Sequence, residues 1–355
     1  MVSALAERFC WAKARRIFET YSLAKASGNL LKTEKFQNSR NRALLIGGGL
    51  IALLLIVLAG AAMLGAERLP LFDLNEQQRS ILYDIRLPRI LLGACVGASL
   101  AVAGAGLQSL LRNPLAEPYL LGVSNGAALG TMLAFVFFQS LEVTRPLLAF
   151  AGAGLATVAV YRMAKSRAGM NVERLVLSGV IVTTFLSSVI VMLTTLLDAA
   201  KLRSFTFWLL GDLSQATRNG VYLSLGAVIV GTVVLTSQAR ALNLMMVGER
   251  DAFDFGVEVG RVRILVFGAS SLVVGAAVAA SGSVGYVGLI VPHLVRLSVG
   301  SDNRLVVPFS AVAGAIFVVF ADTIARTAIA PRELPVGAVT ALIGAPMFIY
   351  LLRRN

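Results

Sequence analysis

The chain has 355 residues, 57% of them hydrophobic and 14% charged, with a formal net charge of +13. A soluble domain carries about 25% charged residues, so too few remain here to cover a water-exposed surface, and a soluble helical globule is excluded. Several apolar runs reach the roughly 20 residues that cross a bilayer, without the alternation of a transmembrane β-barrel, which leaves an all-α polytopic membrane protein.

In chain order, residues 1–42 come first, a basic tail with nine Lys/Arg and three Glu. No short apolar core with a small-residue cleavage site precedes the first long run, so the tail does not read as a cleaved signal peptide. Its stretch WAKARRIFETYSLAKA suits either an amphipathic helix on anionic membrane lipid or a disordered extension. Residues 43–355 form the transmembrane domain, with about ten spans predicted at 43–65, 88–110, 119–138, 146–164, 175–197, 219–238, 262–280, 284–299, 304–322 and 335–352. With the N-terminus in the cytoplasm, the connections on that side hold 22 Lys/Arg against 10 outside, which places both termini inside. Basic charge spread over loops in this way argues against a nucleic-acid face.

GASLAVAG (97–104) in the second span resembles GAAVAASG (275–282) in the seventh. Five spans separate them, so the copies run in opposite directions, as in the inverted repeats of many transporters. Small residues three or four apart also serve close helix packing.

Four stretches are more polar than packing needs. RNPLAEPYLLGVSNGA (112–127) carries two prolines that end a helix; it is either a plain turn or irregular backbone held at membrane depth against protein or a water-filled path. The connection at about 240–261 mixes Leu244 and Phe253 with Glu249 and Arg250, a pattern suited to short helices docking into a partner's groove or lying on the chain's own membrane domain. In GYVGLIVPHLVR (285–296), His293 reads as structural. Outside, Arg86, Arg89 and Arg326 suit either acidic groups on a soluble partner or lipid headgroups. Asp322 and Arg326 share one helical face.

His293 is the only histidine, and the two cysteines, Cys10 and Cys95, lie far apart in the chain. No metal site, disulfide framework or catalytic centre is therefore expected. No segment fits GxxxxGK[ST], so the chain by itself is read as neither an enzyme nor a holder of cofactor.

Together these stretches resemble the permeases of ABC importers for iron-siderophore, haem and vitamin B12, the FecCD or BtuC-like family. RLPR (86–89), the whole of 97–127, FWLLGDL (207–213), LNLMMVGERDAFDFGV (242–257), GYVGLIVPHLVR, ADTIAR (321–326) and ELPVGAVTALIGAPMFIYLL (333–352) follow the family's order, and the resemblance leaves the tail uncovered. It implies a type II ABC importer permease fold and a homodimer with the path along its axis. It also implies two ATPase subunits, holding ATP and Mg, on the cytoplasmic face, and an extracytoplasmic substrate-binding protein. By position, Leu244, Gly248, Glu249, Arg250, Ala252 and Phe253 match the coupling contact with the ATPase, and Arg86, Arg89 and Arg326 match the binding-protein contact. Asn113, Leu115, Asn171, Val172 and Glu173 match the gate lining; Val172 and Glu173 stand where the B12 permease has small hydroxyl residues. The implied cargo is a ferric siderophore, with haem or cobalamin as alternatives, crossing the cytoplasmic (inner) membrane. An ion-coupled secondary transporter would need ionisable groups within the bilayer, and Asp322 is its one candidate.

Overall fold

The computed structural model describes residues 41–65, 70, 75–138, 143–166 and 169–354. Residues 1–40 of the basic tail, with its amphipathic stretch, lie outside them. The chain divides after Gly49 into two units. Of the N-terminal unit, residues 41–49 are helical; the other unit, from Leu50 onward, holds the helical bundle.

Among the described residues, ten helices match the ten predicted spans. Seven are long and apolar enough to cross a membrane and three are shorter. They are α1 (Asn41–Met63) and α2 (Glu76–Leu110), α3 (Val123–Phe137), α4 (Thr144–Ala164), α5 (Val172–Thr194), α7 (Arg218–Ser237), α10 (Val259–Ser281), α11 (Val287–Val299), α12 (Asn303–Thr327) and α13 (Val336–Arg354). Three further helices among the described residues were not among the predicted spans: α6 (Ala199–Leu209) between α5 and α7, and α8 (Ala239–Val247) and α9 (Glu249–Asp254) between α7 and α10. A two-residue antiparallel ribbon, Lys165–Ser166 with Gly169–Met170, joins α4 to α5.

The second helix starts about three turns before its predicted boundary at Pro88. Asn75 and Gln78 form a capping box at its start. A π-helical turn, Ile81–Arg86, then carries the helix up to Leu87-Pro88; the wider turn brings the chain to a proline that a regular helix interior would not accept.

Close packing around α2 explains the small-residue runs. A Cβ on Gly97 would overlap the carbonyl of Gly314 in α12, and a Cβ on Gly104 would overlap the carbonyl of Gly288 in α11. Backbones can approach this closely only where both faces lack side chains, the usual device where water supplies no hydrophobic drive between helices.

The two halves repeat one element order in opposite senses. A long helix (α2 or α10) is followed by an irregular link and a short helix (α3 or α11). Both short helices begin from a left-handed residue, Gly122 (φ 77°, ψ −3°) and Tyr286 (φ 68°, ψ −17°). The links meet inside the bundle. The Tyr119 hydroxyl donates to the Val284 carbonyl (2.9 Å) and accepts from the Val284 amide (2.8 Å), while the Glu117 carboxylate accepts from the Tyr286 amide at 3.0 Å. Pro118 lies against Gly288, which also faces the Leu100 carbonyl. The stretch 112–127 is thus no plain turn: it re-enters two to three helical turns deep beside α2, and its Tyr119 and Glu117 side chains satisfy backbone groups of the opposite link at Val284 and Tyr286.

Pro292 lies inside α11 and cannot donate to the carbonyl four residues earlier, at Gly288. Gln108 replaces that donor: its Nε2 reaches the carbonyls of Gly288 (3.3 Å) and Leu289 (3.0 Å).

Candidate functional site

At one end of the bundle, α8 and α9 lie across the ends of the spans. Leu242 and Met245 of α8 and Ala252 of α9 are buried, and Leu244 is half-buried against the core. Val247, Phe253 and Phe255 are 79%, 71% and 75% exposed. One apolar face therefore anchors this segment, and the opposite one points outward, uncovered by the described residues. Gly248 breaks the two helices apart in extended conformation. Arg250 and Asp251 are exposed beside it.

Two sets of polar contacts fasten the segment. First, a single carboxylate oxygen of Glu249 takes two guanidinium groups, that of Arg112 at 2.9 Å and that of Arg263 at 2.5 Å. Arg263 also donates to the Met170 carbonyl at 2.6 Å. The coupling-match helix α9 is in this way tied to both stretches that match the gates: to residue 112 directly, and to residue 170 through Arg263. Second, Asn243 of α8 holds the start of α12. Its Nδ2 donates to Asp302 (2.6 Å), and its Oδ1 accepts from the Asn303 amide and from Asn303 Nδ2 (2.9 Å each). Asn303 accepts in turn from Ser109 of α2 (2.7 Å) and Arg296 of α11 (3.3 Å), and Arg296 donates to Ser109 at 2.8 Å.

Near α9, Arg112 adopts a left-handed φ of 49° that ends the helical path of α2. Asn113 follows, its side chain accepting from the Leu115 amide at 2.8 Å in an Asx turn. Leu115 is 45% exposed. Asn171 caps α5 by accepting from the Arg174 amide at 2.9 Å; Val172 is half-buried and Glu173 exposed. Glu249 with Arg263 is the connection that the two gate-match stretches share. Asn243, Asn303, Ser109, Arg296 and Arg263 were not singled out from the sequence. The one available signal was Asp302-Asn303, a helix-start pattern, and Asp302 does cap α12 by accepting from the Arg304 amide.

At the opposite end, Arg86, Arg89 and Arg326 were expected to face a soluble partner, which needs accessible guanidinium groups. The structure places all three inside, 5%, 7% and 5% exposed. Arg89 pairs with Asp322 at 2.9 Å and Glu333 at 2.7 Å, and Arg326 pairs with Asp322 at 3.1 Å. Arg86 donates to the carbonyls of Ala62 and Met63 at 2.9 and 3.0 Å. Desolvated charges need internal partners, and these carboxylates and helix-end carbonyls supply them. Asp322, the one residue offered as an in-membrane relay, is fully engaged between two arginines. Asp322→Asn leaves them short of a counter-charge, and is expected to destabilise the chain by about 3–5 kcal/mol, read as a lower thermal midpoint in detergent.

A model of the FecCD transport family matches residues 48–354. The chain belongs to the FecCD transport family. This FecCD chain is similar to the cobalamin import system permease protein BtuC of Halobacterium salinarum, 45% identical over 282 residues, covering 79% of this chain and 76% of that protein. It is also similar to the hemin transport system permease protein HmuU of Yersinia pestis, 38% identical over 331 residues and covering 90% and 98%. Its fold follows a metal-chelate type ABC transporter solved in an inward-facing conformation, with a TM-score of 0.81, 32% identity, and coverage of 87% of this chain and 99% of that one. As a FecCD protein it is a membrane permease of ABC importers, and the match spans all the elements that carry the contacts above.

Proposed function

We propose that this FecCD permease carries a ferric siderophore inward across the cytoplasmic membrane as a homodimer. Two ATPase subunits, which hold ATP and Mg, sit on its α8–α9 end. An extracytoplasmic binding protein delivers cargo at the other end, and both termini lie in the cytoplasm. The carrying observation is the Glu249 junction. The outward apolar face of Val247, Phe253 and Phe255 offers the ATPase a groove-filling surface, and Glu249 ties the same segment to the stretches at 112 and 170. Closure of the ATPase pair on ATP displaces α8–α9, and the arginine links pass that displacement to Asn113 and Leu115 on one side and Asn171, Val172 and Glu173 on the other. Such coupling requires each ligand to favour one conformer.

For docking, Glu333 is the weak link in the outer cluster: its side chain is 47% exposed while it pairs with Arg89. A carboxylate on the binding protein can take its place at the guanidinium.

Relatives named for iron(3+)-hydroxamate and Fe(3+)-citrate import support an iron chelate as the cargo, and those named for hemin and cobalamin import support haem or cobalamin as the second reading. The test is uptake into liposomes holding the permease, its ATPase and its binding protein. ATP-dependent accumulation of a radio-iron siderophore is expected. Accumulation of haem or cobalamin alone overturns the cargo, and uptake driven by an ion gradient without the ATPase overturns the ATP drive.

A further inference from the structure

Helices α2 and α7 begin at the same end of the bundle. Arg218, the first residue of α7, pairs there with Asp84 in the π turn of α2 at 2.7 Å. Below this pair an open groove of about 260 Å³ runs between the two helices. Tyr83, Arg218 and Tyr222 stand at its rim, and Pro88, Val221 and Leu91 line it further in. Helix α7 has 20 residues, about 30 Å of helix, which equals the hydrocarbon thickness of a bilayer. Its first turn therefore lies at the membrane surface. Beyond the groove, Leu225, Ile229 and Val233 continue the exposed apolar face of α7 toward the other leaflet.

The polar groups at the rim are accessible. Tyr83 and Tyr222 are 54% and 68% exposed, at the depth where tyrosine rings favour the headgroup layer. The side chains of Arg218 and Asp84 are 66% and 57% exposed. An exposed ion pair contributes little, so this one yields to a ligand that carries both charges. Asp84 is held in place meanwhile, since its other carboxylate oxygen accepts from the Ser80 hydroxyl at 3.2 Å.

We propose that this groove seats a molecule of phosphatidylethanolamine. An acyl chain lies along Pro88, Val221 and Leu91, the phosphate accepts from Arg218, and the ammonium group donates to Asp84. The pair of opposite charges sets the headgroup. Phosphatidylglycerol has the phosphate without the ammonium, so it places a negative charge beside an unpaired Asp84. The trimethylammonium of phosphatidylcholine has no N–H to donate. The seat is independent of cargo and of coupling, and its loss leaves the importer reading intact.

The test titrates the delipidated full-length chain in detergent with each of these three lipids, matched in acyl chains, and counts bound lipid by native mass spectrometry. Phosphatidylethanolamine is expected to bind about tenfold more tightly than either of the others, the worth of one hydrogen bond to a charged group. Asp84→Asn should remove its advantage over phosphatidylcholine and improve phosphatidylglycerol. Arg218→Gln should weaken all three, as should Leu91→Trp, which fills the groove. Thermal midpoints of the Asp84 and Arg218 variants should match that of the unaltered chain, because both side chains are exposed. Equal binding of the three lipids, or a preference for phosphatidylethanolamine that survives Asp84→Asn, overturns the seat. A Leu91→Trp chain that binds lipid as before but shifts between dimer and monomer assigns the groove to a second copy of the chain, and overturns it too.

Discussion

Glu249→Arg is expected to abolish uptake by the assembled importer while the ATPase remains bound and hydrolyses ATP without cargo. The substitution replaces the carboxylate between Arg112 and Arg263 with a third cation, so both links from α9 are broken and become repulsive. Glu249→Gln removes the charge but keeps the shape, and uptake should fall about tenfold, equivalent to ~1.4 kcal/mol. That size follows from the site. The Arg112 pair, with side chains 45% and 32% exposed, contributes little by itself, but the Arg263 side chain is 16% exposed and loses its anionic partner. Glu249→Asp, with the charge kept and the reach shortened, should fall between. Measuring uptake and hydrolysis together on each variant separates lost coupling from lost docking. Unchanged uptake in Glu249→Arg would remove the junction from the mechanism.

The second large effect is structural. Gly104→Val and Gly288→Val each drive a side chain into the other helix's backbone, and Gly97→Val does the same against Gly314. Overpacking against movable side chains costs roughly 1–3 kcal/mol, and a carbonyl in a continuous helix has less room to yield. These variants should fail to give a single folded species in detergent, or should melt several degrees lower. Gly226 in α7 and Gly268 in α10 serve as internal controls, since a Cβ there meets nothing within 4 Å. Replacement of either by Ala should leave the midpoint unchanged or raise it slightly through helix propensity. Equal sensitivity at all these positions would show that lost glycine flexibility, and not close approach, sets the cost.

The spans were legible because apolar length is a direct consequence of bilayer thickness. The start of α2 was not, because Arg86, Pro88 and Arg89 read as a boundary while a π turn carries the helix past them. Helix α6 escaped for a related reason: it has 11 residues, too few to span, in a connection where no long apolar run marks it. The close-packing role of the glycines could be read from spacing, but their partners could not, since Gly104 and Gly288 meet only after the chain has folded back. At the site, motif order identified the α8–α9 segment. The sequence could not show that Arg112 and Glu249, 137 positions apart, share a salt bridge. Arg86, Arg89 and Arg326 lie deeper than their places at the ends of spans suggest. A charge at the end of a span reads as surface-seeking, whereas Asp322, Glu333 and the carbonyls of α1 draw these three inward.

The two fastenings of the α8–α9 segment have a mechanical meaning beyond strength. An element pinned at one point transmits only a pull along the line of contact. This segment is pinned at two, through Asn243 to α2, α11 and α12 and through Glu249 to the stretches at 112 and 170. Under the coupling proposed above, a push on Phe253 would turn the segment about the Asn243 anchor, and the bundle would receive a torque. Lengthening Asn243 to Gln, which shifts that pivot but leaves the Glu249 links whole, would change the direction of the stroke and not its size.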